Sequence, residues 1–229
     1  VPIRRTRGFT LLELMIVLSI VAILAALAAT ALTRDRPRAT LQTLASDVQA
    51  LLRNARQNAL ATGRPTIVMV FPNFANPLGG VGRVILLEDP AGTFFQAAAA
   101  TNFGAYDPAT ARIGVGDEIL LSIDFPRNVR VGPGTGMGAT AVLAAPYGRV
   151  NVQKACSFCN AVGDGRGAVR FDSRGRAAFY SGNGAPLDVW GASFSLANLD
   201  ASNAQVTPGV RTFVVTSTTG GVRSFIAGG

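Results

Sequence analysis

Histidine is absent from this chain of 229 residues. Its absence removes Ser-His-Asp and Cys-His catalysis, and with them the commonest protein ligand for a metal. Cysteine is confined to Cys156 and Cys159, in Cys156-Ser157-Phe158-Cys159. A structural zinc site needs four Cys or His ligands, and the two more it would require do not exist here. Charge is sparse as well, 15% of residues against 48% hydrophobic, a balance that excludes a disordered polyelectrolyte. Acids are scarcer than bases, 13 against 21, for a formal charge of +8. That is compatible with anionic partners such as DNA or lipid and commits to neither. The glycine-rich run Gly132-Pro133-Gly134-Thr135-Gly136-Met137-Gly138 fits neither GxGxxG nor a phosphate-binding loop with its Lys-Ser/Thr, and reads as a surface loop. No acidic pair is spaced for acid/base work. The sequence implies no enzyme, no metal and no cofactor.

What is present is concentrated at the start. Arg4, Arg5 and Arg7 precede Gly8, and from Phe9 to Leu32 the only charge is Glu13 among Leu, Ile, Val, Ala and Met. A helix of roughly 24 residues at ~1.5 Å each covers the ~30 Å hydrocarbon layer of a bilayer. Arginines ahead of the span predict a cytoplasmic N-terminus and an exported remainder. An acid in such a segment is costly unless paired or snorkelling to the headgroups, which makes Glu13 a candidate functional residue.

Gly8-Phe9-Thr10-Leu11-Leu12-Glu13-Leu14-Met15-Ile16-Val17-Leu18, with its basic leader and an acid at the fifth position counted from Phe9, resembles the class III signal of type IV pilins and of type II secretion pseudopilins. The resemblance implies that a prepilin peptidase cuts between Gly8 and Phe9 and methylates the new N-terminus at Phe9. It also implies that Glu13 pairs with the Phe9 amine of a neighbouring subunit. Physics is consistent with that pairing: a helix N-terminus carries unpaired N–H groups and partial positive charge, cleavage adds an amine, and away from water the amine needs an anion. Loss of the leader removes three arginines and lowers the formal charge to about +5.

Further along, Arg34-Asp35-Arg36-Pro37-Arg38 marks a charged junction, and Pro37 predicts a kink or local melting. Leu41, Leu44, Ala45, Val48, Leu51, Leu52, Ala55 and Ala59 then recur at three- and four-residue spacing, with Asp47, Arg53, Asn54 and Gln57 falling between them. This predicts an amphipathic helix that ends at Thr62-Gly63. From Arg64 the pattern becomes β-type. Strands are predicted at Thr66–Phe71, Arg83–Leu87, Ile119–Phe125, Val129–Val131, Ala168–Phe171, Ala177–Tyr180, Val189–Ala197, Val210–Ser217 and Val222–Phe225. Asp172–Arg176 and Thr219-Gly220-Gly221 make hairpin turns. The stretches 91–116, 132–145 and 160–167 read as loops or insertions. For the Cys pair, a thioredoxin-like redox site, free thiols and a local disulfide remain open; export to an oxidising compartment favours the disulfide.

The helix end Leu52–Ala59 followed by Gly63-Arg64-Pro65, the hairpin Val169–Ala177 and the closing pair of strands look like the GspH/FimT group of minor pilins and pseudopilins. That resemblance implies an α+β pilin fold: a long N-terminal helix, half transmembrane and half amphipathic, packed on an antiparallel β-sheet head. The expected organisation is a cytoplasmic leader at 1–8, a transmembrane and assembly helix at 9–32, an amphipathic helix half at 33–63 and a β-rich head at 64–229. Expected partners are prepilin peptidase, other pilins or pseudopilins, an inner-membrane assembly platform, and lipid before assembly. The expected location is the inner membrane, then the fibre. Some members of the group resemble competence pilins that bind DNA through a Gly-Arg-x-Arg turn. Gly220-Gly221-Val222-Arg223 occupies that position and keeps only Arg223, with Arg211, Arg174 and Arg176 as further candidate cations should they share its face.

Overall fold

The computed structural model describes residues 10–95, 103–104, 106–110, 118–133, 150, 154–160, 165–200, 202 and 204–226, without the side chains of 28–36 and 206–208. The fold is α+β, with an N-terminal helix and antiparallel sheets. One helix, α1, runs Leu11–Thr62, and ten strands follow: β1 Thr66–Ala75, β2 Val81–Glu88, β3 Glu118–Asp124, β4 Val129–Val131, β5 Gly167–Phe171, β6 Ala177–Ser181, β7 Pro186–Leu187, β8 Gly191–Leu199, β9 Gln205–Thr216 and β10 Val222–Ile226. By contacts the chain divides into two compact units, Val1–Ala39 and Thr40–Gly229.

Helix assignment continues through Pro37, so the melting expected there is not found. A proline removes one ladder bond and crowds the carbonyl four residues back, but the turns on either side of it still close. The helix stops where the sequence said it would. Gly63 adopts φ 70° and donates its N–H to the Ala59 carbonyl at 3.1 Å, a left-handed cap that glycine enters without steric cost. The transmembrane half expected at 9–32 is not shown: among the described residues no helix is long and apolar enough to cross a membrane. Phe9 lies outside the described residues, and the apolar side chains described run from Leu11 to Leu27. That is roughly 17 residues, about 26 Å of helix against a ~30 Å layer.

In the second unit the eight apolar positions of the amphipathic pattern are all buried, from Leu41 to Ala59, while Asp47, Arg53, Asn54 and Gln57 face water. They pack against two sheets rather than one. The first has the order β3-β2-β1-β5-β6-β7 and the second β10-β9-β8-β4, all pairs antiparallel. One cluster joins Leu51 and Leu52 of α1 to Val68, Val84, Val169 and Phe179 of the first sheet and to Phe194, Leu196 and Phe213 of the second.

Alternate residues of the first sheet, Ile67, Met69, Phe71, Ile85 and Leu87, point the other way and form a second cluster with Phe94, Phe103 and Tyr106. Burial on both faces explains why β1 and β2 read as continuous apolar runs instead of alternating ones. The described part of the 91–116 insertion is therefore a cover for the sheet's outer face. Arginines fasten it: Arg166 donates to the carbonyls of Phe103 and Tyr106 at 2.8 and 2.6 Å and stands over the Phe71 ring. Arg83, paired with Asp124 at 2.5 Å, also donates to the Pro108 carbonyl. Within this cover, burial pushes the Tyr106 hydroxyl up to about 12, with Arg83 opposing and Asp107 assisting.

Two strand boundaries and one added strand correct the sequence reading. β8 begins at Gly191, not Val189, because Val189 donates its N–H back to the Leu187 carbonyl at 3.1 Å and so turns away from the ladder. β1 extends through Pro72 to Ala75, with a register shift after Phe71 where the proline can donate nothing. The two-residue strand β7 contains Pro186 and sits at the edge of the first sheet, where a proline is tolerated.

Candidate functional site

The candidate cations of the head do not make one patch. In the β9–β10 hairpin Arg223 opposes Val214, and Ile226 opposes Arg211. Cross-strand partners share a face and neighbours along a strand alternate. Arg211 therefore shares the face of Phe213 and Val215, which pack on the helix cluster, and Arg223 lies on the opposite face. Arg176 is engaged already: its Nε and Nη2 both reach Asp172 Oδ2 at 2.8 Å. Asp172 also accepts the backbone N–H groups of Arg174 and Arg176 at 2.9 Å. Partial burial raises its carboxyl pKa, but these donors and the Arg176 guanidinium outweigh that and hold it below the ordinary value. Arg174 is exposed on the same turn.

This turn meets the last hairpin. Ala177 donates its N–H to the Ser217 carbonyl at 2.9 Å, and Ser217 donates its own to Trp190 at 2.9 Å. Arg56 Nε, from α1, donates to the Gly175 carbonyl at 3.3 Å. A Cβ on Gly220, which has φ +59°, would stand 2.0 Å from that same oxygen. Both turns need glycine here, one for its backbone angle and the other for close approach.

Cys156 and Cys159 are joined in a disulfide. The segment around it extends the edge of β8, with Ser157 donating to Ser193 and Ser195 donating to Ala155, both at 2.8 Å. The described residues 154–160 form no helix, so among them there is no helix N-terminus of the kind that activates a thioredoxin-like thiol.

At the other end of the chain, Gly8 and Phe9 lie outside the described residues. Thr10 is the first residue with a describable role. Its Oγ1 accepts the Glu13 N–H at 3.3 Å, and its carbonyl accepts the Leu14 N–H at 3.2 Å. Thr10 is thus the N-cap, and Glu13 stands at the third helical position. Thr-x-x-Glu is the capping-box pattern, in which the acid faces back toward the N–H groups ahead of the helix. The pattern stands in the sequence as Thr10-Leu11-Leu12-Glu13, and the role of Thr10 could have been read from it. From Leu11 to Leu27 every side chain is exposed, apolar ones included: Leu11 is 78% and Leu27 62% exposed. Ser19 donates its hydroxyl to the Met15 carbonyl at 2.8 Å, which satisfies that donor within the helix.

Residues 3–29 match the family model of the prokaryotic N-terminal methylation motif. The chain carries the type IV pilin-like signal. No curated protein and no solved structure matches the chain. The motif is that of structural, pilin-like or pseudopilin proteins, which are processed by prepilin peptidase and assemble with other pilins. It covers both Gly8 and Phe9, the Thr10–Glu13 cap, and the exposed apolar run. The head lies beyond it.

Proposed function

We propose that this chain is a minor pilin, a non-enzymatic subunit of a type IV pilus of the GspH/FimT kind, placed in a tip or priming complex. It is made as a single-pass inner-membrane precursor with leader 1–8 in the cytoplasm, helix 9–32 in the bilayer, amphipathic half 33–63 and head 64–229 in the periplasm. Cleavage between Gly8 and Phe9 and methylation of Phe9 convert it to an assembling subunit that engages other pilins and an inner-membrane platform. The observation that carries this reading is the acid at the start of α1, capped by Thr10 and followed by a fully exposed apolar surface. In the sequence Glu13 follows Phe9 by four residues, about one helical turn, so its carboxylate can answer an amine freed at Phe9, and a neighbour's helix can cover the apolar residues that no described residue of this chain covers.

The test is Glu13→Ala in cells. Cleavage should proceed while incorporation into fibres falls; normal incorporation would remove the pairing role. The same geometry serves a GspH-like pseudopilin of type II secretion, which differs in phenotype: deletion would stop export of folded substrates and leave twitching and adhesion intact. A DNA-binding competence pilin finds less support, because Arg211 and Arg223 lie on opposite faces and Arg176 is held by Asp172. It predicts salt-sensitive retardation of DNA that falls on Arg223→Ala.

A further inference from the structure

Where the Gly175 and Gly220 turns meet α1, the chain leaves an open cavity of about 210 Å³ lined by Arg53, Arg56, Gln57, Gly220 and Val222. No acidic side chain lines it among the described residues. Arg53 and Arg56 are three apart on one helix, where like charges are neighbours and weaken the helix. Neither lies in the last turn of α1, where the helix dipole would compensate for a cation. Arg56 is half-buried and clamped: its Nε is held by the Gly175 carbonyl, and its Cδ lies 3.2 Å from where a Gly220 Cβ would be. Arg53 and Gln57 are exposed, and no described acid pairs with Arg53.

We infer that Arg53, Arg56 and Gln57, closed off by the Gly220 turn, form a binding site for a phosphate-type oxyanion. Two guanidinium groups and one amide supply several donors to one small volume, which suits an anion with several acceptor oxygens. The clamp on Arg56 fixes one guanidinium before the ligand arrives, so little side-chain freedom is lost on binding. An anion there also removes the Arg53–Arg56 repulsion. The site is separate from the N-terminal segment and does not rest on the assembly reading: its loss would leave cleavage and incorporation unchanged.

A reporter is tied to the same turn through the backbone. Trp190 is the chain's single tryptophan and is 79% exposed, and its backbone carbonyl accepts both the N–H and the hydroxyl of Ser217 at 2.9 Å, the residue that opens the Gly220 turn. The full-length protein in detergent micelles is titrated with inorganic phosphate at constant ionic strength while Trp190 fluorescence is followed. A saturable change is expected, and Arg53→Gln should weaken it roughly tenfold, the loss of one charge-assisted hydrogen bond. Arg56→Lys, which keeps the charge but loses the fork, should weaken it too. A parallel titration with oligothymidylate assigns the source: tighter binding than phosphate, lost in Arg53→Gln, points to a nucleic-acid backbone, and equal or weaker binding to free phosphate. The inference is overturned if chloride reproduces the phosphate response, or if Arg53→Gln leaves the affinity unchanged. Arg53 is exposed, so its replacement tests the site without disturbing the clamp.

Discussion

The two apolar stretches of α1 meet opposite fates. Leu41, Leu44, Val48, Leu51 and Leu52 are at most 5% exposed, while Leu12, Leu14, Ile16, Leu18 and Leu24 are each more than 50% exposed. Both stretches are leucine-rich and helical. The difference lies in what alternates with them. Between Leu41 and Ala59 polar residues take the outer positions, so one face is apolar and the chain's own sheets cover it. Between Leu11 and Leu27 the helix is apolar all round, and no single sheet can cover every side. A helix of that kind requires either lipid or other helices on all faces. The head therefore covers its half of the helix, whereas no described residue covers the apolar side chains from Leu11 to Leu27.

That comparison is broken most completely at Gly8. Replacing Gly8 with a bulky residue such as Leu should leave the leader attached, with no methylated Phe9 and no fibre incorporation, while the head folds as before. Intact mass of the purified chain checks the first outcome and immunoblotting of sheared fibres the second. Cleavage in the variant at the wild-type rate would contradict the assignment of the cut.

A pair of leucines measures the contrast directly. Leu52→Ala empties a fully buried position and should cost about 2–5 kcal/mol in denaturant unfolding of the full chain in micelles. Leu18→Ala, at 59% exposed, should shift the same curve by no more than about 0.5 kcal/mol. In assembly the ranking should reverse, with Leu18→Ala lowering incorporation although the head is intact. Equal costs in unfolding would mean that the N-terminal half is packed after all.

The helix face was legible because a 3.6-residue period survives any tertiary context that covers one side of it. Helix end, nine of the ten strands and the hairpin positions followed from glycine chemistry and β-branched runs, while the two-residue β7 did not. Other features depended on contacts that a sequence does not contain. The period-2 pattern of β1 and β2 is hidden because both faces are buried, and the residues responsible, Phe94, Phe103 and Tyr106, lie in a stretch that looked like loop. Their aromatic density was the available signal. The arginines near the last hairpin were legible as a set but not by face, since a one-residue offset in register decides the side on which Arg211 stands. Thr10 was legible and is the nearest to a missed residue: three positions ahead of an acid, before an apolar run, it is a cap by pattern alone.

Gly220→Ala tests the contact between the two turns. The new methyl would press on the Gly175 carbonyl and would have to adopt a left-handed backbone angle, so a cost of roughly 1–3 kcal/mol is expected, without effect on cleavage. Thermal unfolding of the full chain checks it. An unchanged midpoint would mean that the turns separate freely, and the clamp on Arg56 would go with them.

The smallest effect concerns Asp172, whose carboxylate gathers the N–H groups of Arg174 and Arg176 and the Arg176 guanidinium. Its folded-state pKa is lowered, so protons bind more readily in the unfolded chain, where the value is about 3.9. The carboxylate's contribution to stability is then complete above that unfolded value and disappears as pH falls through the lower, folded one. At neutral pH it is fully present. The turn is on the surface, where water and salt weaken such interactions, so the expected signature is a shallow loss of stability on the acid side. Asp172→Asn should flatten that limb while leaving the alkaline limb unchanged. A slope that persists in Asp172→Asn would mean that the acid sensitivity does not come from this turn.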